Sequence, residues 1–468
     1  MKILAIMLIG GAMMLAGGRA QGNGHSNSFS TAPAPAGQAD DNRQETSGKV
    51  FLSAKTDKKD ALYNCGEKAG FAITAEVSGE TAAEGHISVR LTRDGGEVIT
   101  NLTLGLSNQS VIVAGTLAEP GFLRCNVSYA GTKTNVCAAA GFEPERIKTT
   151  AIVPDDFDAF WREGRAELAK IPADVRLAPL EKYSNAKQKC YLISFANLDN
   201  TRIYGFLSVP EGLQPPYPGY VTIQPAGKNP CVPNVCDWGA KGVLALQLGI
   251  HDYEVGLSPE ESKKLYNKIN KNGMYMQIGA PDRRRYYFRR VILGIDRALT
   301  YLAARPDFDG RHLVMEGSSQ GGGLSLIMAG FNPQVTAVAA NVPAMCDHAG
   351  HMAGRGAGWP ALVRGAEEEK SLRLKMSPYF DVVNFARKIK CPSVLSVGFI
   401  DTTCPPSSVY SAYNEIKAPK RIFAAPLTKH DAVKPFYVFL NKWIPGQLGM
   451  GESVPPAATN PKKQNEDS

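Results

Sequence analysis

Gly317-Ser318-Ser319-Gln320-Gly321 sets a serine between two glycines, just after the apolar run Leu313-Val314-Met315 and ahead of a small-residue stretch over 322–330. This is the pattern of a strand, a sharp turn and a helix. The turn pushes the serine hydroxyl out of the backbone, and the helix N-terminus favours negative charge beside it. The glycines admit the turn without a Cβ clash. A serine hydroxyl is a poor nucleophile until an imidazole takes its proton, and the imidazole in turn needs a carboxylate to fix its tautomer. Asp401 follows the apolar run 393–397 through Gly398-Phe399-Ile400, and His430 lies in the polar segment Lys429-His430-Asp431 beyond Ile422-Phe423-Ala424-Ala425. A surface aspartate and a surface histidine are the bland alternatives. The chain has only seven histidines, however, and this one stands where the base is needed. The chemistry implied is acyl transfer, with Ser319 as nucleophile, His430 as base and Asp401 as the acid that orients it.

The elements that must position these residues can also be read. Apolar strand-like runs at 220–223, 243–248, 313–315 and 394–397 alternate with helical stretches, which predicts a mainly parallel sheet covered on both faces. Pro154-Asp155-Asp156 ahead of Phe157-Asp158-Ala159-Phe160-Trp161 reads as the helix start that leads into this region. The chain order Ser319, Asp401, His430 is that of α/β-hydrolases and differs from the chymotrypsin and subtilisin orders.

Several further segments, in order, carry a family resemblance. They are Asp156-Phe157-Asp158-Ala159-Phe160-Trp161, Tyr286-Tyr287-Phe288-Arg289-Arg290, Glu316 to Gly323 around the serine, Val342-Pro343, Tyr379 to Ala386, and Asp401-Thr402-Thr403-Cys404-Pro405-Pro406-Ser407. With these, about three-fifths of the chain, over 151–443, resembles the acetyl xylan esterase and cephalosporin C deacetylase family of carbohydrate esterases. The resemblance implies an α/β-hydrolase fold and a serine esterase that removes O-acetyl groups from acetylated carbohydrates, without metal or organic cofactor. It further implies an oxyanion hole built from the N–H of Gln320 and that of Gly227, in Pro225-Ala226-Gly227-Lys228. Gly227 stands where many members carry a tyrosine, but a backbone N–H serves an oxyanion whatever its side chain. Two more departures are visible: Ile250-His251-Asp252-Tyr253 replaces the family's Arg-Gly-Gln, and His430-Asp431 replaces its His-Glu. Trp238 either lines the alcohol side of the pocket or packs in the core. Members often form ring-like hexamers, so a homo-oligomer is open, although an additional domain would obstruct or remodel those contacts.

Such a domain is expected ahead of the catalytic one. Segments 71–77, 87–91 and 123–129 alternate as half-buried strands do, and Arg93-Asp94-Gly95-Gly96 supplies a hairpin turn. Short strands with frequent turns predict an immunoglobulin-like β-sandwich over 48–145, followed by the catalytic domain over 146–449. Its expected role is to pack or space the catalytic domain, with glycan binding as the second reading. Residues 1–20, with Lys2, an apolar run over 3–15 and Gly18-Arg19-Ala20, read as a secretory signal, residues 21–47 as a flexible leader, and 450–468 as a disordered tail. The mature chain is expected to be periplasmic or extracellular and without a membrane span. Removing Lys2 and Arg19 takes the formal charge from +8 to +6, modest for 468 residues. The one dense basic cluster, Asp282-Arg283-Arg284-Arg285, points to helix ion pairs or a subunit contact rather than nucleic acid. Nine cysteines leave at least one unpaired; Cys125–Cys137 and Cys231–Cys236 are the sequence-local disulfide candidates, and Cys404 reads as a packing residue. No Cys-x-x-Cys or histidine-rich spacing marks a metal site. The rival functions are a peptidase of the prolyl oligopeptidase type and a non-catalytic glycan-binding protein. The short acid-to-histidine spacing speaks against the first, and the complete Ser, Asp and His set against the second.

Overall fold

A computed structural model describes residues 50–452 apart from 78–79, 82–84, 107–109, 131–134, 272–273 and 364–365; beyond that span only 6–7, 44–45 and 456 are described. The signal, leader and tail assignments therefore lie almost wholly outside the described residues. The chain divides into two compact units, Met1–Pro144 and Glu145–Ser468.

The first unit is built from strands β1 (Val50–Thr56), β2 (Leu62–Tyr63), β3 (Ala69–Val77), β4 (Gly85–Arg93), β5 (Val98–Leu106), β6 (Val111–Gly115), β7 (Gly121–Tyr129) and β8 (Asn135–Phe142). One sheet contains the antiparallel run β6-β3-β1; the other has the order β2-β8-β7-β4-β5. Period-two alternation explains the core. Phe71, Ile73, Val89, Leu91, Leu123, Val127, Val136 and Ala140, drawn from both sheets, meet in a single buried cluster. In the turn joining β4 to β5, Asp94 and Gly95 take φ of 47° and 83°, the left-handed pair that suits a hairpin.

Neither sequence-local cysteine pair forms, and none of the nine cysteines is in a disulfide. Cys125 stands opposite Ala138 while Cys137 stands opposite Asn126. The pleat therefore sends the two thiols to opposite faces of one sheet. Cys236 has Cys190 as its thiol partner, whereas the Cys231 thiol turns to the Asn229 carbonyl at 3.8 Å.

The second unit contains β9 (Arg176–Pro179), β10 (Gln188–Ala196), β11 (Arg202–Pro210), β12 (Tyr217–Ile223), β13 (Leu244–Leu248), β14 (Phe308–Ser318), β15 (Ala337–Asn341), β16 (Ser393–Gly398) and β17 (Lys420–Ala425), in the spatial order β9-β10-β11-β13-β12-β14-β15-β16-β17. The sheet is antiparallel from β9 to β13 and parallel from there to β17. Every residue of β13, β15 and β16 is buried, as expected for parallel strands covered on both faces. The helices are α1 (Phe157–Ala169), α2 (Cys236–Gly239), α3 (Pro259–Ile269), α4 (Tyr287–Ala303), α5 (Gln320–Phe331), α6 (Glu367–Met376), α7 (Val382–Ala386), α8 (Pro406–Glu415) and α9 (Lys434–Gln447). Phe436, Leu440 and Trp443 of α9 share a buried cluster with Val314, Ala337, Ala339 and Val394 of the sheet. The basic cluster ahead of α4 is absorbed within the chain, where Arg283 pairs with Asp156 at 2.8 Å and Arg284 with Glu163 at 2.9 Å.

α5 is buried along nearly its whole length, from Gln320 to Ala329, and packs on β14 and β15. Its close approach depends on a missing side chain: a Cβ at Gly321 would lie 2.1 Å from the Ile223 carbonyl oxygen at the end of β12. That obstacle is backbone and cannot swing aside. Gly321→Ala is accordingly expected to destabilise the second unit by about 1–3 kcal/mol or more, read as a lowered thermal unfolding midpoint. An unchanged midpoint would show that α5 has room to retreat.

Candidate functional site

Ser319 lies between β14 and α5 with φ 54° and ψ −120°, a backbone conformation that costs a non-glycine residue on the order of 1–3 kcal/mol. Its backbone is held on both sides. The Ser319 N–H donates to the Asn341 carbonyl at 2.9 Å, and the Ser319 carbonyl accepts from Gly323 and Ala344, each at 2.9 Å. Asn341, at the end of β15, extends the hold through its side chain. Its Nδ2 donates to Ser318 Oγ at 2.9 Å and to the Asp431 carbonyl at 3.3 Å, while its Oδ1 accepts from Ser396 Oγ at 2.7 Å and from Val433 N–H at 3.3 Å. One buried amide thus ties the serine turn to the loop that carries His430. No motif announces that role, because its four partners are scattered over 318–433.

The three residues singled out by chemistry come together. His430 Nε2 is 2.9 Å from Ser319 Oγ, and His430 Nδ1 is 2.7 Å from Asp401 Oδ2. Asp401 is fully buried, and its other oxygen accepts from the N–H groups of Thr403 at 2.7 Å and Cys404 at 2.9 Å. Those backbone donors satisfy a carboxylate oxygen that water cannot reach. The His430 loop crosses the end of β16 at Gly398, where a Cβ would lie 2.3 Å from the Thr428 carbonyl oxygen. Cys404 is buried as expected, with its thiol in hydrogen-bond reach of Ser319. Among the described residues, Asp401, Cys404 and His430 form the one group spaced to hold a metal ion, their ligand atoms lying within 4.8 Å of one another. Both nitrogens of that histidine are engaged by Ser319 and Asp401.

Gln320 begins α5, so its N–H has no intrahelical acceptor. Its side chain accepts a hydrogen bond from the Tyr275 hydroxyl. That hydroxyl is also within hydrogen-bond reach of the Gly227 amide. Gly227 has φ 132°, and its carbonyl accepts from Gln224 Nε2 at 2.9 Å and from His251 Nε2 at 2.8 Å. His251, in the segment that departs from the resembled family, is fully buried and lies among the rings of Tyr253, Tyr266, Tyr275 and Tyr287, at centroid distances of 5.0–6.0 Å. Its Nδ1 is 2.6 Å from the Tyr287 hydroxyl. Burial holds the His251 pKa down to about 4, so the ring is neutral near pH 7. A neutral ring facing a carbonyl must carry its proton on Nε2, and Nδ1 then accepts from Tyr287.

Trp238 lies in the core. Its ring centroid is 4.5 Å from that of Tyr220, and the Lys241 ammonium lies 4.9 Å from the ring. The half-buried Trp359, which the sequence reading did not single out, neighbours Tyr275 at 6.3 Å and Phe288 at 5.8 Å. Its backbone N–H donates to the carbonyl of Thr403, next to Cys404, at 2.8 Å.

The model of one family, acetyl xylan esterase, matches residues 143–445. The acetyl esterase Axe7A of Xylanibacter ruminicola is 33% identical over 384 residues, covering 79% of this chain and 84% of that protein. The chain belongs to the acetyl xylan esterase family. It is a carboxylic ester hydrolase. Among solved structures, an acetyl xylan esterase from Paenibacillus sp. R4 is similar in fold, with a TM-score of 0.56 at 24% identity over 64% of this chain and 98% of that one. Acetyl xylan esterase 1 from Thermoanaerobacterium sp. has a TM-score of 0.54 at 22% identity, covering 65% of this chain and 98% of its own. Among the described residues, no helix of this esterase is long and apolar enough to cross a membrane.

The lowered His251 pKa links the site to stability. As pH falls, the unfolded chain takes up this proton near 6.5 while the folded chain resists to about 4. The contribution of neutral His251 is therefore complete above pH 6.5 and is lost through the window down to 4, in all roughly 3 kcal/mol. His251→Gln, which does not titrate, is expected to flatten the fall of the thermal unfolding midpoint across that window. The same slope in both proteins would contradict the buried neutral state.

Proposed function

We propose that this esterase removes O-acetyl groups from acetylated carbohydrates, with xylan or xylo-oligosaccharides as the leading substrates, through a Ser319–His430–Asp401 triad and an acetyl-enzyme intermediate. The observation that carries the reading is the continuous hydrogen-bonded path from Ser319 Oγ through both nitrogens of His430 to a buried carboxylate. In the first half-reaction His430 takes the Ser319 proton as Oγ attacks the acetyl carbonyl, and Asp401 stabilises the imidazolium. The oxyanion receives the N–H of Gln320 and that of Gly227, the latter exchanging its contact with the Tyr275 hydroxyl for the substrate. Each such donor lowers the barrier by roughly 3 kcal/mol. His430 then protonates the departing sugar alcohol, and water repeats the cycle to release acetate and restore the serine.

Trp359 is the better candidate for the alcohol side, since it is half buried beside Tyr275, whereas Trp238 is packed on Tyr220. The first unit, read as an immunoglobulin-like sandwich, packs or spaces the catalytic unit, and an amino-terminal signal directs the chain to the periplasm or beyond. Cephalosporin C is a further substrate to test, and homo-oligomerisation is part of the same reading.

Acetate release should be measured on acetylated xylan, acetylated xylo-oligosaccharides, cephalosporin C and O-acetylated mucin sugars. Release is expected from the xylan-derived substrates and lost in Ser319→Ala. Asp401→Asn is expected to lower kcat by about 10³–10⁴-fold through the wrong imidazole tautomer. On p-nitrophenyl esters, acetate should be hydrolysed much faster than octanoate, since a small acyl site resists overpacking. Equal rates on the two esters would point to a general esterase.

A further inference from the structure

We propose that His251 is a positioning residue for acyl transfer at Ser319, holding the Gly227 turn in the geometry that presents its amide to the oxyanion. The inference rests on the esterase reading and extends it to a buried group that takes no direct part in that mechanism.

Side-chain packing does not hold Gly227, although Asn229 two residues on is anchored to Tyr253 and His251. A Cβ built at Gly227 would meet nothing within 4 Å, so the surroundings do not clamp this residue by packing. At φ 132° it also sits outside the wells in which a side chain would hold it. What fixes it is hydrogen bonding to its two peptide units. The unit that follows Gly227 is held at the carbonyl by His251 Nε2–H and by Gln224 Nε2, and Gln224 also reaches the Lys228 carbonyl at 3.2 Å. The unit that precedes it is met at the amide by the Tyr275 hydroxyl. His251 bears on both. It donates to the carbonyl directly, and its ring packs edge-on against Tyr275 at 5.0 Å.

The surroundings also fix which nitrogen donates. Tyr287 Oη lies 2.6 Å from Nδ1, and Tyr287 is itself fixed in α4. The Tyr287 hydroxyl also lies 3.3 Å from the Ile250 carbonyl, but the Gly227 carbonyl facing Nε2 requires the proton on that nitrogen, and Nδ1 then accepts from Tyr287. The alternative tautomer would set a lone pair against a carbonyl oxygen inside a buried site. The relay Tyr287 to His251 to Gly227 therefore works in one direction. A histidine that merely fills the core would need only its volume, and that difference can be tested.

His251→Leu keeps the bulk and removes the donor, while His251→Gln keeps a side-chain N–H. With p-nitrophenyl acetate and protein shown to be folded by circular dichroism, His251→Leu is expected to lower kcat by about 10–100-fold, less than outright loss of an oxyanion donor, with KM within about twofold. His251→Gln is expected to recover most of that loss. Tyr287→Phe, which removes the hydrogen bond that anchors the ring at Nδ1, should lower kcat in the same manner, and it serves as the test if the leucine variant fails to fold. Unchanged kcat in a folded His251→Leu or Tyr287→Phe protein would overturn the proposal. So would a glutamine variant as impaired as the leucine one, since volume alone would then explain the loss. If the wild-type protein hydrolyses no acetyl ester, the esterase reading fails first; if it does and the variants match it, only the role of His251 fails.

Discussion

The site depends on a strained backbone at one residue. Ser319 is held at a positive φ that an L-residue resists, and the chain around it makes any relaxation costly. Gly321 lies against the end of β12 with no space for a side chain, and the Ser319 carbonyl and N–H are both engaged across neighbouring segments. α5 cannot retreat and the serine cannot relax. The hydroxyl is thereby fixed in position before any substrate arrives, which is the preorganisation that acyl transfer requires.

Around that point the structure uses two buried polar side chains as ties. Asn341 joins the serine turn to the His430 loop, and His251 joins the Gly227 turn to α4 through Tyr287. Both are satisfied on their donor and acceptor sides, which is the condition under which a buried polar group rigidifies its surroundings at little net cost. The loops that carry His430 and Gly227 gain their precision from these ties, since neither loop is part of a strand or helix.

The residues of the proposed triad, which the structure brings within hydrogen-bond distance, could be picked out in the sequence because their signals are local: a serine between glycines after an apolar run, an aspartate just past a strand, and a histidine in a polar loop. The parallel sheet was legible because the largely apolar runs at 243–248 and 394–397 alternate with helical stretches. The ties were not. Asn341, His251 and Tyr275 act through partners 23 to 92 residues away, and nothing in their own neighbourhoods marks them. The cysteine pairing failed for an opposite reason. Cys125 and Cys137 are close in sequence and lie on paired strands, but a register offset of one residue puts them on opposite faces. Trp238, left open between pocket and core, went to the core because α2 turns it onto Tyr220.

In the proposed mechanism a single activated serine does the chemistry. Its most direct test is reaction with a fluorophosphonate, which modifies a serine only when a base and an oxyanion site are assembled around it, followed by peptide mass mapping. One adduct per chain is expected, on Ser319, absent in His430→Ala even though the serine is still present. An adduct on another residue, or undiminished labelling of Ser319 without His430, would contradict it.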